Sequence, residues 1–429
     1  MKYALLAVIA ALSVAGAIIP APDPVSPEPS VSGDRPAVAV CTIQEGRGRS
    51  TDVAILSTAN GPAQIGLFTN GATAGSLATS TGSSGSTVIP VGDIAAVGTV
   101  GGLIELPNAT STAGVVVAGA ASFSAEACQS VPSPDTFLTG GSTVSGESFA
   151  VQIMNPYSGE ATVSLRVTSE AGLESNERFN SILIPPRSSE VISFNELIPG
   201  REQLSVAIQT QRGRVMAVAL QEIEGETSLW TAIPEAQDWF LPVPEGQPSR
   251  HILIGTSSAI DVDYQVDFYG PGGLEEGLVS GVLPANGQAF IDLDQMSEET
   301  SAVRVIATAP VVPTLRIRTP VGLATTSASS VQANRWMLPS ASVPEGGQAR
   351  MVIFNASIED STVSIRPLRQ NSSIRDLLVP SDGVAELALQ SADGYLVEST
   401  APVVVMWVAT SPVGGSAAMG VPLDAPGDG

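Results

Sequence analysis

The residues of this chain with a spacing suited to chemistry begin with two acidic pairs, Asp261 with Asp263 and Asp292 with Asp294. Two carboxyl groups at a suitable separation are what most glycoside hydrolases require. Residues two apart in a β-strand point to the same face of the sheet, however, and acids in that arrangement are far more often solvated surface than catalytic groups. The same acids could bind calcium, but no EF-hand or other ligand-spaced loop accompanies them. We therefore predict neither a catalytic pair nor a metal site.

A hydrolase of the Ser-His-Asp kind needs an imidazole base, and His251 is the only histidine of the chain. No Gly-x-Ser-x-Gly motif accompanies it, and the sequence holds neither a His-Glu-x-x-His motif nor a dinucleotide-binding fingerprint. The glycine-rich stretch at 81–86 lacks the lysine that a phosphate-binding loop requires, since Lys2 is the only lysine. We predict no catalytic residue and no cofactor, and hence a protein that is not an enzyme.

The charge of the chain bears on its partners. It has 19 basic against 42 acidic residues, a formal net charge of −23. Binding to nucleic acid depends on neutralising phosphates with Lys and Arg, and an anionic membrane surface attracts basic segments. We therefore exclude nucleic acid as a partner, together with long-range attraction to anionic lipid. The acidity is typical of a protein that stays soluble at high local concentration outside the cell.

The N-terminus carries the features of an export segment. Lys2 is followed by an apolar run from Tyr3 to Ile19, and Ala15-Gly16-Ala17 offers a cleavage site of small residues. This run is close to the short limit for crossing a bilayer, so residues 1–19 are either a cleaved signal peptide or a membrane anchor. Prolines dominate residues 20–36, which predicts an extended spacer. We expect an exported, extracytoplasmic chain that is either membrane-anchored or secreted.

The cysteines support the same location. Cys41 and Cys128 are the only two in the chain. In an exported protein two cysteines favour a disulfide, whereas a metal site would need more ligands than this chain offers around them. They bracket the first of the repeats described next. We therefore predict that Cys41 and Cys128 are bonded to each other across that repeat.

Four segments of about a hundred residues repeat one plan. Phe137, Trp239 and Trp336 each open an apolar segment that leads through a Gly-rich polar stretch into another apolar run. Asn155 and Asn355 are each followed, seven residues later, by Thr-Val-Ser. Because these positions recur, structural roles are favoured over ligand binding, and we expect the two tryptophans to fill the joins between consecutive domains.

Within a repeat the apolar residues alternate with polar ones, as Val163, Leu165 and Val167 do. This period of two indicates antiparallel strands with one buried and one wet face, roughly seven per repeat. We predict an all-β protein of tandem immunoglobulin-like antiparallel β-sandwich domains. The joins are short, so the domains are expected in line, as a rod on the order of 150 Å long. The predicted domains are 37–134, which holds the disulfide, 135–236, 237–334 and 335–425.

With these motifs in view, the chain resembles a family of exported actinobacterial proteins classed as a domain of unknown function. The likeness runs from about residue 36 to the end. It is carried by Cys128 with the Gly-Gly stretch that follows it, by the Asn-Pro-x-x-Gly turn at 155–159, and by the recurring Trp-x-Leu-Pro strands. The resemblance implies an envelope location and a disulfide-linked first domain, but no activity. Two openings depart from the family, since Val38-Ala39-Val40-Cys41 lacks an aromatic residue and Phe137 stands where relatives tend to have tryptophan.

Aromatic side chains are scarce, with four tryptophans and five tyrosines in all. Tyr157 and Tyr269 lie within Gly/Pro turns and are the candidates for a binding surface. The predicted function is a non-enzymatic structural or protein-interaction rod of the cell envelope, in contact with the membrane through its N-terminal segment if that segment is uncleaved. Two alternatives stay open, an array that binds envelope carbohydrate and an accessory subunit of an envelope enzyme.

Overall fold

A computed structural model describes residues 38–423 except positions 47, 82–84, 95–97, 121, 248, 271–272, 297–299, 320–321, 340–342, 369–373 and 390–393. The chain from Pro36 onward is one compact unit. The predicted signal or anchor segment and the spacer lie outside the described residues. Among the residues that are described, no helix has the length and apolar character needed to span a membrane.

Unit 1 is a β-sandwich. Its strands are β1 (Val38–Gln44), β2 (Arg49–Ser57), β3 (Gly61–Thr69), β4 (Ala72–Thr81), β5 (Ser86–Pro90), β6 (Thr99–Glu105), β7 (Ser111–Gly119) and β8 (Ser122–Ala127), with a 3-10 turn at Val91–Asp93. They form two antiparallel sheets, ordered β1-β6-β3-β4 and β5-β2-β7-β8.

Unit 2 repeats this arrangement. Its strands are β9 (Asp135–Gly141), β10 (Glu147–Asn155), β11 (Ala161–Ser169), β12 (Gly172–Glu174), β13 (Ile182–Ile184), β14 (Ser188–Ser193), β15 (Leu204–Arg212), β16 (Met216–Ile223) and β17 (Glu226–Thr231), with a 3-10 turn at Glu177–Phe179. One sheet is ordered β12-β11-β15-β9, with β13 also on β11, and the other is ordered β14-β10-β16-β17.

Units 3 and 4 follow the same plan. Unit 3 comprises β18 (Ala236–Pro242), β19 (Ser249–Gly255), β20 (Val262–Gly270), β21 (Gly273–Leu283), β22 (Gln288–Asp292), the short helix α1 (Leu293–Met296), β23 (Ala302–Thr319) and β24 (Gly322–Ser327). Unit 4 comprises β25 (Ala333–Pro339), β26 (Gln348–Asn355), β27 (Ser361–Pro367), β28 (Arg375–Val379), β29 (Gly383–Leu389), β30 (Gly394–Ser411), β31 (Gly414–Met419) and β32 (Val421–Pro422). The all-β sandwich class predicted from the sequence is confirmed.

In units 3 and 4 a single 18-residue strand serves both sheets. The first half of β23 pairs with β18 and β20, and its second half pairs with β19 and β24. The crossing lies at Ala309-Pro310, and β30 crosses at Ala401-Pro402. A proline has no N–H to donate to a ladder, so it is tolerated where the strand leaves one sheet for the other.

Trp239 and Trp336 lie at these crossings. Both rings are buried, at 1% and 0% exposure. The Trp239 Nε1–H donates to the Val311 carbonyl oxygen at 2.8 Å, and that of Trp336 donates to the Val403 carbonyl oxygen at 3.0 Å. These bonds stay within one unit, whereas each ring belongs to a core cluster that also includes residues of neighbouring units. That the tryptophans fill the joins between domains therefore stays a prediction. Phe137 of unit 2 belongs to the same cluster as Trp239.

Asn155 and Asn355 hold equivalent turns in units 2 and 4. Each side chain is fully buried. The Asn155 Nδ2 donates to three backbone carbonyl oxygens at 2.8 to 3.1 Å, and the Asn355 Nδ2 does the same at 2.8 to 3.2 Å. Each Oδ1 accepts the amide N–H two residues further on, at 3.1 Å. The recurrence of asparagine therefore reflects a shared turn.

The four units close into a ring. The last main strand of each sandwich contacts its two counterparts in the neighbouring units, β8 with β17 and β31, and β24 with β17 and β31. Units 1 and 4 thus meet directly, and the Ser416 hydroxyl bonds to both the amide (2.8 Å) and the carbonyl (3.1 Å) of Ala125. The predicted in-line rod is therefore wrong.

Each join of the ring packs one sheet of a unit onto a sheet of the next. Between units 1 and 2, Val40 and Phe68 pack on Met216 and Val218. The Thr139 hydroxyl of unit 2 donates to that of Thr314 in unit 3 at 2.6 Å.

The two remaining joins are also formed by packed apolar side chains. Between units 3 and 4 the rings of Tyr269 and Phe354 are 4.6 Å apart. Leu56 of unit 1 packs on Met337 and Leu396 of unit 4. The sheet faces predicted to be wet are therefore covered by neighbouring units at these positions, because each join packs two sheets face to face.

Candidate functional site at the ring axis

The four inner strands surround the axis of the ring and run in the same direction. Between β8 and β17, the Leu229 amide donates to the Ser124 Oγ at 3.0 Å, and the Thr231 hydroxyl donates to the Glu126 carboxylate at 3.1 Å. Both pairs are separated by 105 residues, which shows parallel alignment. Ala, Ser, Thr and Gly dominate β8, β24 and β31. Small side chains allow the strands to approach one another closely at the axis.

A cavity of about 330 Å³ opens where these strands end. All four units contribute to its wall. Most of the wall is apolar, and it includes the disulfide-bonded Cys128. The described lining residues are Glu126, Ala127, Cys128, Gln129, Ser130, Val131, Thr231, Ala232, Ile233, Pro234, Thr326, Ser327, Ala328, Met419, Gly420 and Pro422.

Glu126 is the ionisable group among those described lining residues. Its side chain lies in β8 and only 9% of the residue is exposed. The Oε1 accepts from the Thr231 hydroxyl, while the buried Oε2 has no hydrogen-bond partner. Burial raises the pKa of the Glu126 carboxyl to about 8, against smaller lowering effects of the bonds to Thr231 and to the Ala127 amide. The group is therefore mostly neutral at pH 7.

The fold alone does not explain this acid. The hairpin registers of the four units align Glu126 with Trp230, Thr326 and Ala418. In the other three units the equivalent position is therefore occupied by an apolar or a small polar residue, not by an acid. An unpaired buried carboxyl oxygen costs free energy. Its presence at the wall of a cavity marks this place as the candidate site.

Sequence reasoning missed Glu126. The only signal was a single acid, two residues before a cysteine, in the otherwise small and apolar stretch Ser-Phe-Ser-Ala-Glu-Ala. Nothing in the spacing showed that four such strands meet.

The predicted disulfide is present and adjoins the cavity. Cys41 of β1 is bonded to Cys128, and their Cα atoms are 4.7 Å apart. Cys128 follows β8 directly and lines the cavity wall. The bond therefore ties the first strand of unit 1 to the segment that shapes the candidate site.

The two tyrosines predicted as surface candidates lie elsewhere. Tyr269 is 2% exposed and packs on Phe354, so its assignment to a binding surface is wrong. It lies in strand β20, not in the turn expected from the sequence. Tyr157 is half-buried, and burial raises the pKa of its phenol. The structure does not bring the two side chains together.

His251 belongs to a polar cluster that resembles a Ser-His-Asp array. Its Nε2 is 2.6 Å from the Ser249 hydroxyl, and its Nδ1 is 3.7 Å from Asp292. The second distance is too long for a hydrogen bond, and Nδ1 has no partner. Burial, with a smaller opposing effect of the nearby acids, lowers the pKa of the imidazole. Asp292 therefore does not orient the ring as a catalytic triad requires.

The other acids considered from the sequence serve local structure. Asp294 forms an ion pair with the buried Arg250 at 2.8 Å. Asp261 accepts the Ala285 amide at 2.9 Å in a turn. Within the described residues, no group of three His, Cys, Asp or Glu side chains is placed to hold a metal ion.

Comparison with known families assigns the chain. The model of a family of unknown function, DUF5719, matches residues 95–373, from just before β6 of unit 1 into unit 4. The chain belongs to this family. This membership confirms the coarser part of the resemblance, a domain-of-unknown-function family. No functionally curated protein matches the chain.

Three solved structures are distant likenesses. The chain is similar to Thermotoga maritima 1070, with 19% identity over 21% of this chain and 95% of that one, and a TM-score of 0.20. A tetra-tandem repeat from the extending region of a large adhesion protein aligns with 91% of this chain and 100% of its own, at 9% identity and a TM-score of 0.11. The major pilin of Streptococcus pyogenes aligns over 90% and 99%, at 9% identity and a TM-score of 0.16. Scores this low assign no function to the DUF5719 chain.

Proposed function

We propose that this protein is an exported, non-enzymatic binding component of the cell envelope, in which a closed ring of four sandwiches forms a rigid scaffold around one axial recognition cavity. The observation that carries the proposal is the composition of the cavity wall. The inner strands of all four units end at the same cavity, and residues from each unit line its wall. A partly buried concave wall with one converging polar group is the usual form of a binding site.

The export segment and the disulfide support the location. A bond between Cys41 and Cys128 persists in an oxidising compartment outside the cytoplasm. The net charge of −23 fits the same setting, since it keeps the chain soluble and disfavours polyanionic partners. Either a protein segment or a small envelope molecule would reach the cavity from its open end.

Of the alternatives raised by the sequence, the carbohydrate-binding array loses one of its two candidate platforms. Sugar recognition uses exposed aromatic faces, and Tyr269 is covered by the next unit. Tyr157 alone does not make an array. The accessory-subunit alternative is a case of the binding role, with an enzyme as the partner.

The test is affinity capture of the exported chain from the envelope of its own organism, followed by identification of the retained protein or glycan. Val131 lies at the rim of the cavity and is 70% exposed, so Val131→Arg should obstruct the opening without disturbing the core. Ile358→Arg is the matched control, because Ile358 is 89% exposed and is not among the cavity residues. We expect the same partner with wild type and Ile358→Arg, and its loss with Val131→Arg. Equal capture by all three would contradict the proposal.

A further inference from the structure

We propose that the axial cavity binds an organic ammonium group carried on an apolar body, with Glu126 as its counter-ion. The inference rests on the proposed binding role of the cavity and adds the chemistry of the ligand. The ammonium group could belong to a free alkylamine or to a lysine side chain of a partner.

The first argument is the unmatched acceptor. Glu126 lines the cavity, and its Oε2 is buried without a hydrogen-bond partner. An ammonium group has three N–H donors and no acceptor. Placed at the cavity wall it would satisfy this oxygen with a charge-assisted hydrogen bond, which is roughly twice as strong as a neutral one.

The second argument is the character of the wall. The same cavity is lined by the apolar side chains of Val131, Ile233, Pro234, Ala328 and Met419. A ligand that reaches Glu126 must therefore bury apolar groups along this wall, and burial of methylene groups favours binding. A strongly hydrated inorganic cation gains nothing from such contacts.

Other ligand classes fit less well. Among the described lining residues no Arg, Lys or His is present to receive an anion. A divalent cation would need several oxygen ligands, and the described residues hold no group of three acids or histidines. A neutral ligand could bond to the protonated carboxyl, but it would leave unused the attraction of a chain with a net charge of −23 for cations.

Binding would move a proton. Near neutral pH the carboxyl of Glu126 holds a proton, because burial keeps the pKa of this group at about 8 in the empty cavity. An ammonium ligand favours the carboxylate, so the proton passes to solvent as the ion pair forms and the ligand keeps its own charge. Each binding event at pH 7 should therefore release close to one proton, whereas at pH 9 it should release almost none.

The experiment is titration calorimetry of the full exported chain with n-pentylammonium, in buffers of different ionisation enthalpy, with 1-pentanol as the neutral isostere. We expect affinity to rise about tenfold per pH unit between pH 5 and 7 and to level off above pH 8. Glu126→Gln should abolish both the pH dependence and most of the binding. Glu226→Gln is the matched control, since burial also raises the pKa of Glu226, to about 7, but this residue lies at the opposite end of the inner strands.

Several results would overturn the inference. These are pentanol binding as tightly as pentylammonium, binding in the wild type without proton release, or unchanged binding by Glu126→Gln. The wild-type proton count decides the matter even if Glu126→Gln fails to fold. Tight binding of Nα-acetyl-lysine methylamide would indicate a protein side chain as the source of the ammonium group, and preference for the free amine would indicate a small molecule. Ammonium binding without envelope capture would count against the proposed function alone, and capture without ammonium binding against this inference alone.

Discussion

Asn355 shows how single residues carry the repeat. Its amide group donates to three backbone carbonyl oxygens from a fully buried position. A buried acceptor that loses its donor bears the full cost of its desolvation. Asn155 makes the same contacts in unit 2, so the position is a recurring structural requirement.

Replacing Asn355 by Ala should lower the free energy of unfolding by about 1 to 3 kcal/mol or more, because several carbonyl groups are left without a partner. Urea denaturation followed by circular dichroism measures the change. Asn334→Ala is the control, since the half-buried Asn334 makes one carbonyl contact, at 3.0 Å to Ser399. Equal losses in the two variants would show that the turn of Asn355 is not special.

Glu126 should give the protein a distinctive dependence on pH. Burial raises the pKa of this carboxyl from 4.5 to about 8 in the folded state. Between these values the folded chain holds a proton that the unfolded chain has released, so stability is present below pH 4.5 and is lost as pH rises towards 8, by about 1.4 kcal/mol per pH unit. Thermal melts should show this decline in the wild type and a flatter profile in Glu126→Gln. A parallel decline in both proteins would contradict the assignment.

At the scale of the element, the long strands β23 and β30 connect the two sheets of units 3 and 4. Each strand pairs in both sheets, and an Ala-Pro pair marks the crossing. The repeated Ala-Pro was visible in the sequence, and so were the strand period and the four units. The role of the tryptophans was not, because spacing along the chain does not show which strand segment bends towards Trp239 or Trp336.

Trp336→Ala should therefore weaken the crossing of β30 in unit 4. The ring is fully buried, and Trp→Ala at such a site costs about 3 to 5 kcal/mol. Denaturant-induced unfolding measures the loss of free energy of unfolding, with Ile358→Ala as the control at an exposed position. An unchanged midpoint in Trp336→Ala would mean that the ring is accessible in solution.

The disulfide joins β1 to the segment after β8, which lines the cavity. Cys41 and Cys128 are 87 residues apart, and closing a loop of this length restricts the unfolded chain by about 4 to 5 kcal/mol in the chain-entropy treatment. The double variant Cys41→Ala and Cys128→Ala should lose stability up to this amount. Reductant should lower the melting temperature of the wild type to that of the double variant, and it should leave the double variant unaffected. A response of the double variant to reductant would contradict this account.

At the scale of the whole molecule, ring closure is the feature that sequence reasoning could not reach. Polar residues alternating with apolar ones indicated wet sheet faces, yet Gln152 and Thr314 are fully buried between units. Gln152 donates to the Val100 carbonyl oxygen of unit 1 at 2.9 Å. The small residues of β8 and β31 permit close packing at the axis. The period of apolar residues and the composition predict the strands of a single sandwich. They do not predict contacts between sandwiches, which join surfaces that can lie hundreds of residues apart in the chain.

The measurement that tests ring closure most directly is small-angle X-ray scattering of residues 20–429, which omit the predicted export segment. A compact particle of this size should have a radius of gyration of about 22 Å, with a modest increase from the proline-rich segment. Four sandwiches in line would form a rod about 150 Å long, with a radius of gyration of about 43 Å. A value near 22 Å with a single compact distance distribution is the predicted result. A value near 43 Å would contradict the closed ring, and with it the axial cavity.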